Sequence, residues 1–232
     1  KNKNIFLIED NAHASGAKIN DSMSGSIGDF GCHSFFSSKI ITTGEGGMIT
    51  TNDDKLSKIC RSIRSRGLDI DSDIEIFNRL GSNYKMPEYE SILGISQLRR
   101  LESFVEHRMK IANIYKEELK GLSEKGQIRF QKVGKNIRHP YWKFIIFISR
   151  NHPSMKDLGE AMKKSGINIG APYSPLLHLQ PIMKAITNSR EGDLPKSEAL
   201  SKTHFCLPIH LNISESDARK IASLLITILT ND

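Results

Sequence analysis

Three residues that follow strand-like segments of this 232-residue chain could do chemistry together: Asp10, Ser34 and Lys39. Asp10 comes after the apolar run Ile5–Ile8, and the other two lie in SFFSSKIITTGEGGMITT (34–51), which also holds a glycine cluster. Hydroxyls and glycine amides suit a phosphate monoester, because glycine lets the backbone approach a ligand closely. A deprotonated lysine amine forms a Schiff base with an aldehyde. An aspartate keeps a pyridine nitrogen protonated, so that the ring acts as an electron sink.

Phosphate, aldehyde and pyridine occur together in pyridoxal phosphate, and these residues therefore suggest that cofactor. The common nucleotide-binding motifs fit less well, since GEGGMI (44–49) does not match G-x-G-x-x-G and no Gly-Lys-Ser/Thr follows a phosphate loop. Each residue also has a simpler interpretation when it is taken alone. Asp10 and Lys39 could form a structural ion pair or be two independently solvated side chains, and Ser34 could be packed on its strand. The residues by themselves leave both interpretations open.

The elements that would position these residues alternate between strands and helices, which predicts an α/β fold. Ile5–Ile8 is predicted to be a buried parallel strand that ends in the carboxylates of Glu9 and Asp10. Further strands are predicted within residues 29–36, 46–51, 127–130, 141–149, 167–173 and 204–211. Helices are predicted after Asn52 with a stop at Gly67, over Pro87–Leu122, over Met155–Ser165 and after Ser214, with a proline-rich loop over Pro172–Pro181.

The composition is that of a globular protein, with 38% hydrophobic and 25% charged residues and a formal net charge of +7. A basic balance attracts phosphates, including nucleic acid, but no nucleic-acid motif accompanies the scattered charges. No apolar run approaches the roughly 20 residues that a membrane-spanning helix needs. Because Cys32, Cys60 and Cys206 have neither a paired nor a metal-binding spacing, we expect reduced thiols in a cytoplasmic protein and no metal site.

Four segments carry a resemblance to a known family, and they occur in this order: IEDNAHASGA (8–17), GSIGDFGCHSFFSSKIITTGEGGMITTND (25–53), GSNYKMPEYESILGISQL (81–98) and PLLHLQP (175–181). The set resembles the successive motifs of the DegT/DnrJ/StrS sugar-nucleotide aminotransferases, which are fold-type I pyridoxal phosphate enzymes of the aspartate aminotransferase type. The resemblance runs from Ile5 to the last helix. It implies that residues 1–105 form the C-terminal part of the large cofactor-binding domain. Residues 106–232 would then form a bridging helix and a small C-terminal α/β domain.

The resemblance also implies a role for each matching residue of the cofactor site. Asp10 would hold the pyridine nitrogen, and His13 would lie beside the cofactor ring or its phenolic oxygen. Ser34 would bind the cofactor phosphate, and Asn83 would reach the phosphate of the neighbouring subunit's cofactor. Lys39 would bond the aldehyde carbon and then carry protons between C4′ of the cofactor and the substrate carbon. Lys39 and Asp10 are therefore the predicted catalytic residues.

Three further positions concern the substrate side of the site. Lys85 stands where the family more often has an arginine. Tyr173 and His178 lie in a segment that resembles the family's substrate-side loop, and both are predicted to contact the substrate. The resemblance implies transfer of an amino group from glutamate to a nucleotide-linked keto sugar, for amino-sugar and surface-glycan biosynthesis. It also implies a homodimer with shared active sites.

Family members carry a further N-terminal stretch, with a Gly-Thr-containing helix start for the phosphate and an aromatic side chain that stacks on the ring. Neither is found in this sequence, so we expect the 232 residues to bind the cofactor weakly or not at all on their own and to expose apolar surface. Two alternative functions stay open. The chain could be a catalytically inactive homologue that acts as a partner or regulatory module, or it could bind nucleic acid through its basic surface.

Overall fold

A computed structural model of the chain describes residues 5–149, 154–170 and 175–230. The chain divides into two compact units, of which unit 1 comprises residues 1–106 and 134–142. Unit 2 comprises residues 107–133 and 143–232. The chain thus leaves unit 1, returns to it for one short segment, and leaves it again. Among the described residues, no helix is both long and apolar enough to cross a membrane.

The described residues form nine β-strands, eight α-helices and a 3-10 turn. The strands are β1 (Ile8–Asp10), β2 (Lys18–Ile19), β3 (Ser22–Met23), β4 (Phe30–Ser34), β5 (Gly47–Thr50), β6 (Ile128–Phe130), β7 (Ile137–Arg138), β8 (Phe144–Ile148) and β9 (His204–Leu207). The helices are α1 (Asp54–Arg64), α2 (Glu88–Arg99), α3 (Leu101–Glu118), α4 (Lys120–Glu124), α5 (Met155–Lys164), α6 (Pro181–Thr187), α7 (Pro195–Ser201) and α8 (Glu215–Thr230), and the 3-10 turn covers Leu177–Leu179.

Unit 1 contains a three-stranded sheet in the order β1-β4-β5. β1 runs parallel to β4 with Asp10 opposite Cys32, and β5 runs antiparallel to β4 with Ser34 opposite Gly47. Because β1 and β4 are parallel neighbours, Asp10 and Ser34 lie at the same edge of the sheet, where the carboxyl ends of the strands meet. A second small sheet, β3-β2-β7, pairs the residues that follow β1 with the segment that returns from unit 2.

Helix α1 forms where its sequence predicts a helix. The side chain of Asp53 accepts hydrogen bonds from the backbone N–H groups of Lys55 (2.8 Å) and Leu56 (3.0 Å), which have no partner within the first turn. Gly67 follows the end of the helix with a φ of +85°, and a Cβ at this position would lie 1.8 Å from the carbonyl oxygen of Arg79. Only glycine fits there, so this residue allows the following loop to pack against the helix end.

Unit 2 contains the antiparallel sheet β6-β8-β9. β8 buries alternate side chains, those of Phe144, Ile146 and Ile148, as expected for a strand with one face in a core. The buried Tyr115 of α3 donates its hydroxyl hydrogen to the carbonyl oxygen of Pro208 at 2.7 Å. Helix α8 buries a stripe of five apolar residues: Ala218, Ile221, Ala222, Leu225 and Leu229.

The prediction of a buried strand at Ile5–Ile8 is wrong in two respects. The strand starts only at Ile8, and it continues to Asp10. The side chains of Ile5, Phe6, Leu7 and Ile8 are all exposed. The parallel pairing with β4 that the apolar run predicts is present, but no described element covers these side chains.

Three other element boundaries differ from the predictions. β8 starts at Phe144 rather than Tyr141, because Tyr141 has a φ of +47° and interrupts the extended backbone. The predicted strand 167–173 is reduced to one isolated bridge between Gly170 and Cys206 among its described residues. The helical segment Pro87–Leu122 is divided into α2, α3 and α4. The proline-rich segment contains the 3-10 turn, and Pro181 begins α6.

Candidate active site

Asp10, the predicted partner of a pyridine nitrogen, ends β1 with an exposed carboxylate that accepts the backbone N–H of Ala12 at 3.1 Å. Its neighbour Glu9 points to the other face of the strand, where its oxygens accept the backbone N–H groups of Gly25 (2.8 Å) and Gly28 (2.7 Å). Burial by itself would raise the pKa of Glu9, but these amides and that of Ile27 hold its pKa below the ordinary value. Glu9 thus anchors the loop before β4, while Asp10 is left at the open edge.

The segment between β4 and β5 forms a compact loop that carries Lys39. Phe35 binds both sides of this loop, because its N–H donates to the carbonyl oxygen of Gly46 and its carbonyl oxygen accepts the N–H of Thr43, each at 2.9 Å. The N–H of Lys39 donates to the carbonyl oxygen of Phe36 at 2.9 Å, which closes a turn around the lysine. Ser34 lies at the base of this loop, half-buried, at the end of β4.

Two glycines of the cluster are needed for the shape of the loop. Gly44 has a φ of +88° and Gly46 a φ of +144°, both in the region that other residues rarely adopt. A Cβ on Gly46 would also lie 2.5 Å from the hydroxyl oxygen of Thr43, whereas one on Gly44 would meet no atom within 4 Å. The glycine cluster therefore has a conformational role in addition to any role in phosphate binding.

The side chain of Lys39 lies against Trp142, which the sequence analysis placed in a strand and not in the site. The lysine Nζ is 4.9 Å from the centroid of the Trp142 ring. The indole Nε1–H donates to the carbonyl oxygen of Ser38 at 2.6 Å. The same ring stacks on the imidazole of His13, with 3.7 Å between centroids and 18° between planes. Trp142 thus brings two of the predicted cofactor residues, His13 and Lys39, together.

A polar network lies beneath Asp10. Asn11 is 1% exposed, and its Nδ2 lies 2.9 Å from Nδ1 of His33 while its Oδ1 accepts the hydroxyl of Ser24 at 2.6 Å. Since Asn11 donates to Nδ1, the imidazole carries its hydrogen on Nε2 and donates it to Oγ1 of Thr50 at 3.1 Å. Burial lowers the pKa of His33, although the charge of Glu9 opposes this shift. Burial therefore favours the neutral form of His33.

A mostly apolar cavity of about 390 Å³ lies beside this network within unit 1. Asn11, His33 and Thr50 are among its polar lining residues, and its apolar lining includes Met48 and Leu98. The network thus borders this cavity on one side.

The remaining predicted residues lie elsewhere. Asn83 is exposed and forms an isolated bridge with Ser65. Nε2 of His178 lies 2.9 Å from Oε1 of Glu198 in unit 2, and both side chains are 11% exposed. That carboxylate also accepts the N–H groups of Gly192 (3.0 Å) and Leu194 (3.2 Å), and these bonds, led by the one from His178, hold the pKa of Glu198 below its ordinary value. Tyr173 lies outside the described residues.

The residues of the β1–β4 edge fit the pyridine, aldehyde and phosphate of the predicted cofactor. The carboxylate of Asp10 is exposed, and none of the ion pairs among the described residues includes Lys39. The prediction of an ion pair between Asp10 and Lys39 is therefore wrong, while two separately solvated side chains stay compatible with the structure. Within the described part of the chain, no cluster of three or more His, Cys, Asp or Glu side chains could hold a metal ion.

Comparisons with known proteins identify the family. The chain is 32% identical over 226 residues to a GDP-perosamine synthase of Caulobacter vibrioides, with 97% of this chain and 59% of the relative covered. It is 29% identical over 233 residues to a UDP-4-amino-4,6-dideoxy-N-acetyl-beta-L-altrosamine transaminase of Campylobacter jejuni, with 99% of this chain and 60% of the relative covered. The chain thus spans about three fifths of the length of these curated relatives.

Solved structures share the fold. An aminotransferase from Psychrobacter cryohalolentis superimposes with a TM-score of 0.87 at 26% identity, with 98% of this chain and 62% of that chain covered. The fold is therefore part of the fold-type I α/β aminotransferase fold that the sequence predicts. The sequence profile of one family matches residues 1–226. The chain belongs to the DegT/DnrJ/EryC1/StrS aminotransferase family.

Proposed function

We propose that this chain carries the lysine-bearing part of a pyridoxal phosphate-dependent aminotransferase. The enzyme would transfer an amino group from glutamate to a nucleotide-linked keto sugar in the cytoplasm, for amino-sugar and surface-glycan biosynthesis. The observation that carries the proposal is the position of Lys39, whose amine has no carboxylate partner among the described ion pairs and lies in the loop beside the β1–β4 edge. The names of the relatives, a GDP-perosamine synthase and a UDP-linked amino-sugar transaminase, support a nucleotide-linked sugar as the acceptor.

Each residue of the edge has a distinct task in this proposal. Asp10 holds a proton on the pyridine nitrogen, which lets the bound cofactor act as the electron sink of the reaction. Ser34 and the amides of the loop that follows it bind the phosphate, and His13 lies beside the ring. Lys39 would bond the cofactor aldehyde, and its amine, when not so bonded, would act as the base that moves the proton.

The proposal also assigns a residue to the partner subunit's cofactor and two residues to the substrate. We place Asn83 at the phosphate of the neighbouring copy in a homodimer, and its exposed position is compatible with that role. Tyr173 and His178 stay predicted substrate contacts. The bond from His178 to Glu198 uses one imidazole nitrogen, so only the other nitrogen could reach a substrate while this pair is intact.

The test follows amino transfer in its two halves. The protein is loaded with pyridoxal phosphate, and glutamate should convert the absorbance of the aldehyde form of the cofactor into that of its amine form. A GDP- or UDP-linked keto sugar should then restore the aldehyde form and yield an amino sugar. Lys39→Ala should slow both halves by about 10²-fold or more, the usual contribution of a positioned acid–base group.

A catalytically inactive homologue would give a different spectral result. If the chain is a catalytically inactive homologue, the wild-type protein and Lys39→Ala should show the same absence of spectral change. Because the chain spans about three fifths of its relatives, the measurement is made on it both alone and in the presence of the part of a relative that this chain does not match. Failure of the wild-type protein in both arms contradicts the proposal.

A further inference from the structure

The segment that returns from unit 2, residues 134–142, is fixed to unit 1 at several points before it reaches Trp142. Its strand β7 pairs with β2, with Ile137 opposite Ile19. The carbonyl oxygen of Asn136 accepts the N–H of Asn20 at 2.7 Å. The segment is thus tied to the loop that follows His13, on the same side as the candidate site.

An ion pair adds to this attachment. Nη1 of Arg138 lies 2.9 Å from Oε2 of Glu102, and its Nη2 bonds the other oxygen, which makes a bidentate pair. This hydrogen bond holds the pKa of Glu102 below its ordinary value. The Arg138 side chain is largely buried, so the pair restricts where the segment can run.

The backbone just before Trp142 adopts a rarely populated conformation, which persists only where the surrounding contacts fix it. Tyr141 has a φ of +47°, which is rare for a bulky residue. Its N–H donates to Nδ1 of His139 at 3.0 Å, and the rings of these two residues lie 4.5 Å apart. This turn directs the next side chain, the indole of Trp142, toward the loop of Lys39.

Different parts of the Trp142 indole make different contacts. Its Nε1–H bonds the backbone carbonyl of Ser38, so the ring position is tied to the residue next to Lys39. The imidazole of His13 stacks on the ring, and the Lys39 ammonium lies within cation–π distance of it. A side chain held in this way can fix the location of the lysine amine when that amine carries no covalent bond.

We propose that Trp142 is a positioning residue, which holds the free Lys39 amine against its ring and keeps His13 beside it. The inference deepens the proposed function and rests on it only in taking Lys39 as the reacting amine. The indole takes no part in bond making in this scheme and acts only through Lys39. It restricts the positions open to the released amine, which reduces the loss of orientation.

The test measures the exposure of the Lys39 amine in the protein without cofactor. The wild-type chain is labelled briefly with an amine-acetylating reagent, and the acetylation of Lys39 is compared by peptide mass spectrometry with that of the exposed Lys55. Trp142→Leu should increase the relative labelling of Lys39 roughly two- to fivefold, the factor that a cation–π contact at a partly exposed site represents. Trp142→Phe keeps an aromatic face but lacks the N–H that bonds Ser38, so its increase should be smaller than that of Trp142→Leu.

A structural role alone would not produce this pattern. Equal labelling of Lys39 in wild type and Trp142→Leu overturns the proposal, and so does an equal increase in both variants, because the hydrogen bond to Ser38 is lost in both. Hydrogen exchange of β4 and β5 checks that each variant is folded. Tyr89→Leu, on the exposed face of α2, is the control for loss of an aromatic side chain elsewhere.

A second measurement uses Trp142 itself, since it is the only tryptophan of the chain. His13→Ala should make its fluorescence more accessible to acrylamide, because one ring face loses its stacked imidazole. An unchanged quenching constant contradicts the positioning of His13. His204→Ala in unit 2 is the matched control and should leave the quenching unchanged. Both measurements are made without cofactor, so a wild-type protein that fails to react with pyridoxal phosphate refutes the proposed function and leaves this test valid.

Discussion

The strand β8 in unit 2 and the run Ile5–Ile8 that leads into β1 in unit 1 have similar apolar sequences but very different environments. Ile146 at the centre of β8 is 0% exposed, whereas Ile8 at the start of β1 is 62% exposed. β8 has a strand on either side, while β1 is an edge strand of its sheet. The comparison shows that an apolar run predicts a strand from local sequence alone, but its burial depends on the elements that cover it.

The helices repeat this difference. Helix α8 of unit 2 buries five apolar residues, and helix α2 of unit 1 has none that is buried. Ile92, Ile95 and Leu98 of α2 are exposed, as are Met48 and Ile49 of β5. Contiguous apolar patches of this kind are unusual on a free surface. Within the described residues, unit 2 thus has a closed core, and unit 1 has open apolar faces beside a buried polar network.

The largest expected effect is on the core of unit 2. Leu225→Ala removes a fully buried side chain from α8 and should reduce the free energy of unfolding of unit 2 by about 2–5 kcal/mol. Hydrogen exchange resolved by peptide measures this loss in β6, β8 and β9. A loss below about 1 kcal/mol would mean that the core of unit 2 is less closed than the buried residues indicate.

The second prediction concerns the polar network of unit 1. Asn11→Ala leaves His33 and the hydroxyl of Ser24 without their buried partner, which should cost about 1–3 kcal/mol. Ser24→Ala is the matched control, because it removes one bond and leaves the pair of Asn11 and His33. The unfolding of unit 1, followed by the fluorescence of Trp142, should shift less in the control. Equal shifts in both variants would show that the imidazole bond adds no stability.

The third prediction is a pH dependence of unit 1. The folded pKa of His33 is lower than the ordinary value of 6.5, so below pH 6.5 the unfolded chain binds a proton that the folded unit does not. The stability of unit 1 should be complete above pH 6.5 and fall as the pH is lowered, by at most about 1.4 kcal/mol per pH unit for one proton.

Denaturant midpoints at pH 7.5 and 5.5, again followed by Trp142 fluorescence, measure this slope. His33→Gln keeps hydrogen-bonding capacity without titrating near neutral pH, and it should reduce the slope. An identical slope in wild type and His33→Gln would assign the pH dependence to other groups. Glu9, which faces the same loop, contributes its own loss of stability only as the pH falls below its ordinary value of 4.5.

The smallest expected effect comes from the open face of α2. Leu98→Ala is the same chemical change as Leu225→Ala, but the side chain is 60% exposed, so the stability of unit 1 should change by no more than about 0.5 kcal/mol. Hydrogen exchange of α2 and α1 in the 232-residue chain measures this difference. A loss comparable to that of Leu225→Ala would show that α2 is covered in solution.

Local signals explain which elements the sequence predicted well. Helix α1 has its cap at Asp53 and its stop at Gly67, and β4 and β5 are joined by a loop whose glycines take positive φ values. β7 was not predicted, because a strand of two residues exists only through its pairing with β2 far away in the sequence. The exposure of Ile5–Ile8 was missed for the same reason, since no local pattern shows what covers an apolar run.

The residues of the candidate site also differ in whether the sequence predicts them. The positions of Asp10 and Lys39 follow from strand ends and a loop, and the family motifs locate them directly. Trp142 was missed because its contacts with His13 and Ser38 are made between distant parts of the chain. The only sign of its role in the sequence was that Trp142, the one tryptophan, follows a short polar segment. The bond between His178 and Glu198 is likewise a tertiary contact that spacing does not reveal.

The central claim is that Lys39 is the amine that bonds the cofactor aldehyde. Its most direct test is borohydride reduction of the protein incubated with pyridoxal phosphate, followed by peptide mass spectrometry. We expect a stable pyridoxyl adduct on the peptide that contains Lys39, with no adduct there in Lys39→Ala. The assignment fails if Lys39 of the wild-type chain stays unmodified, both alone and with the part of a relative that this chain does not match, under conditions that label an intact relative.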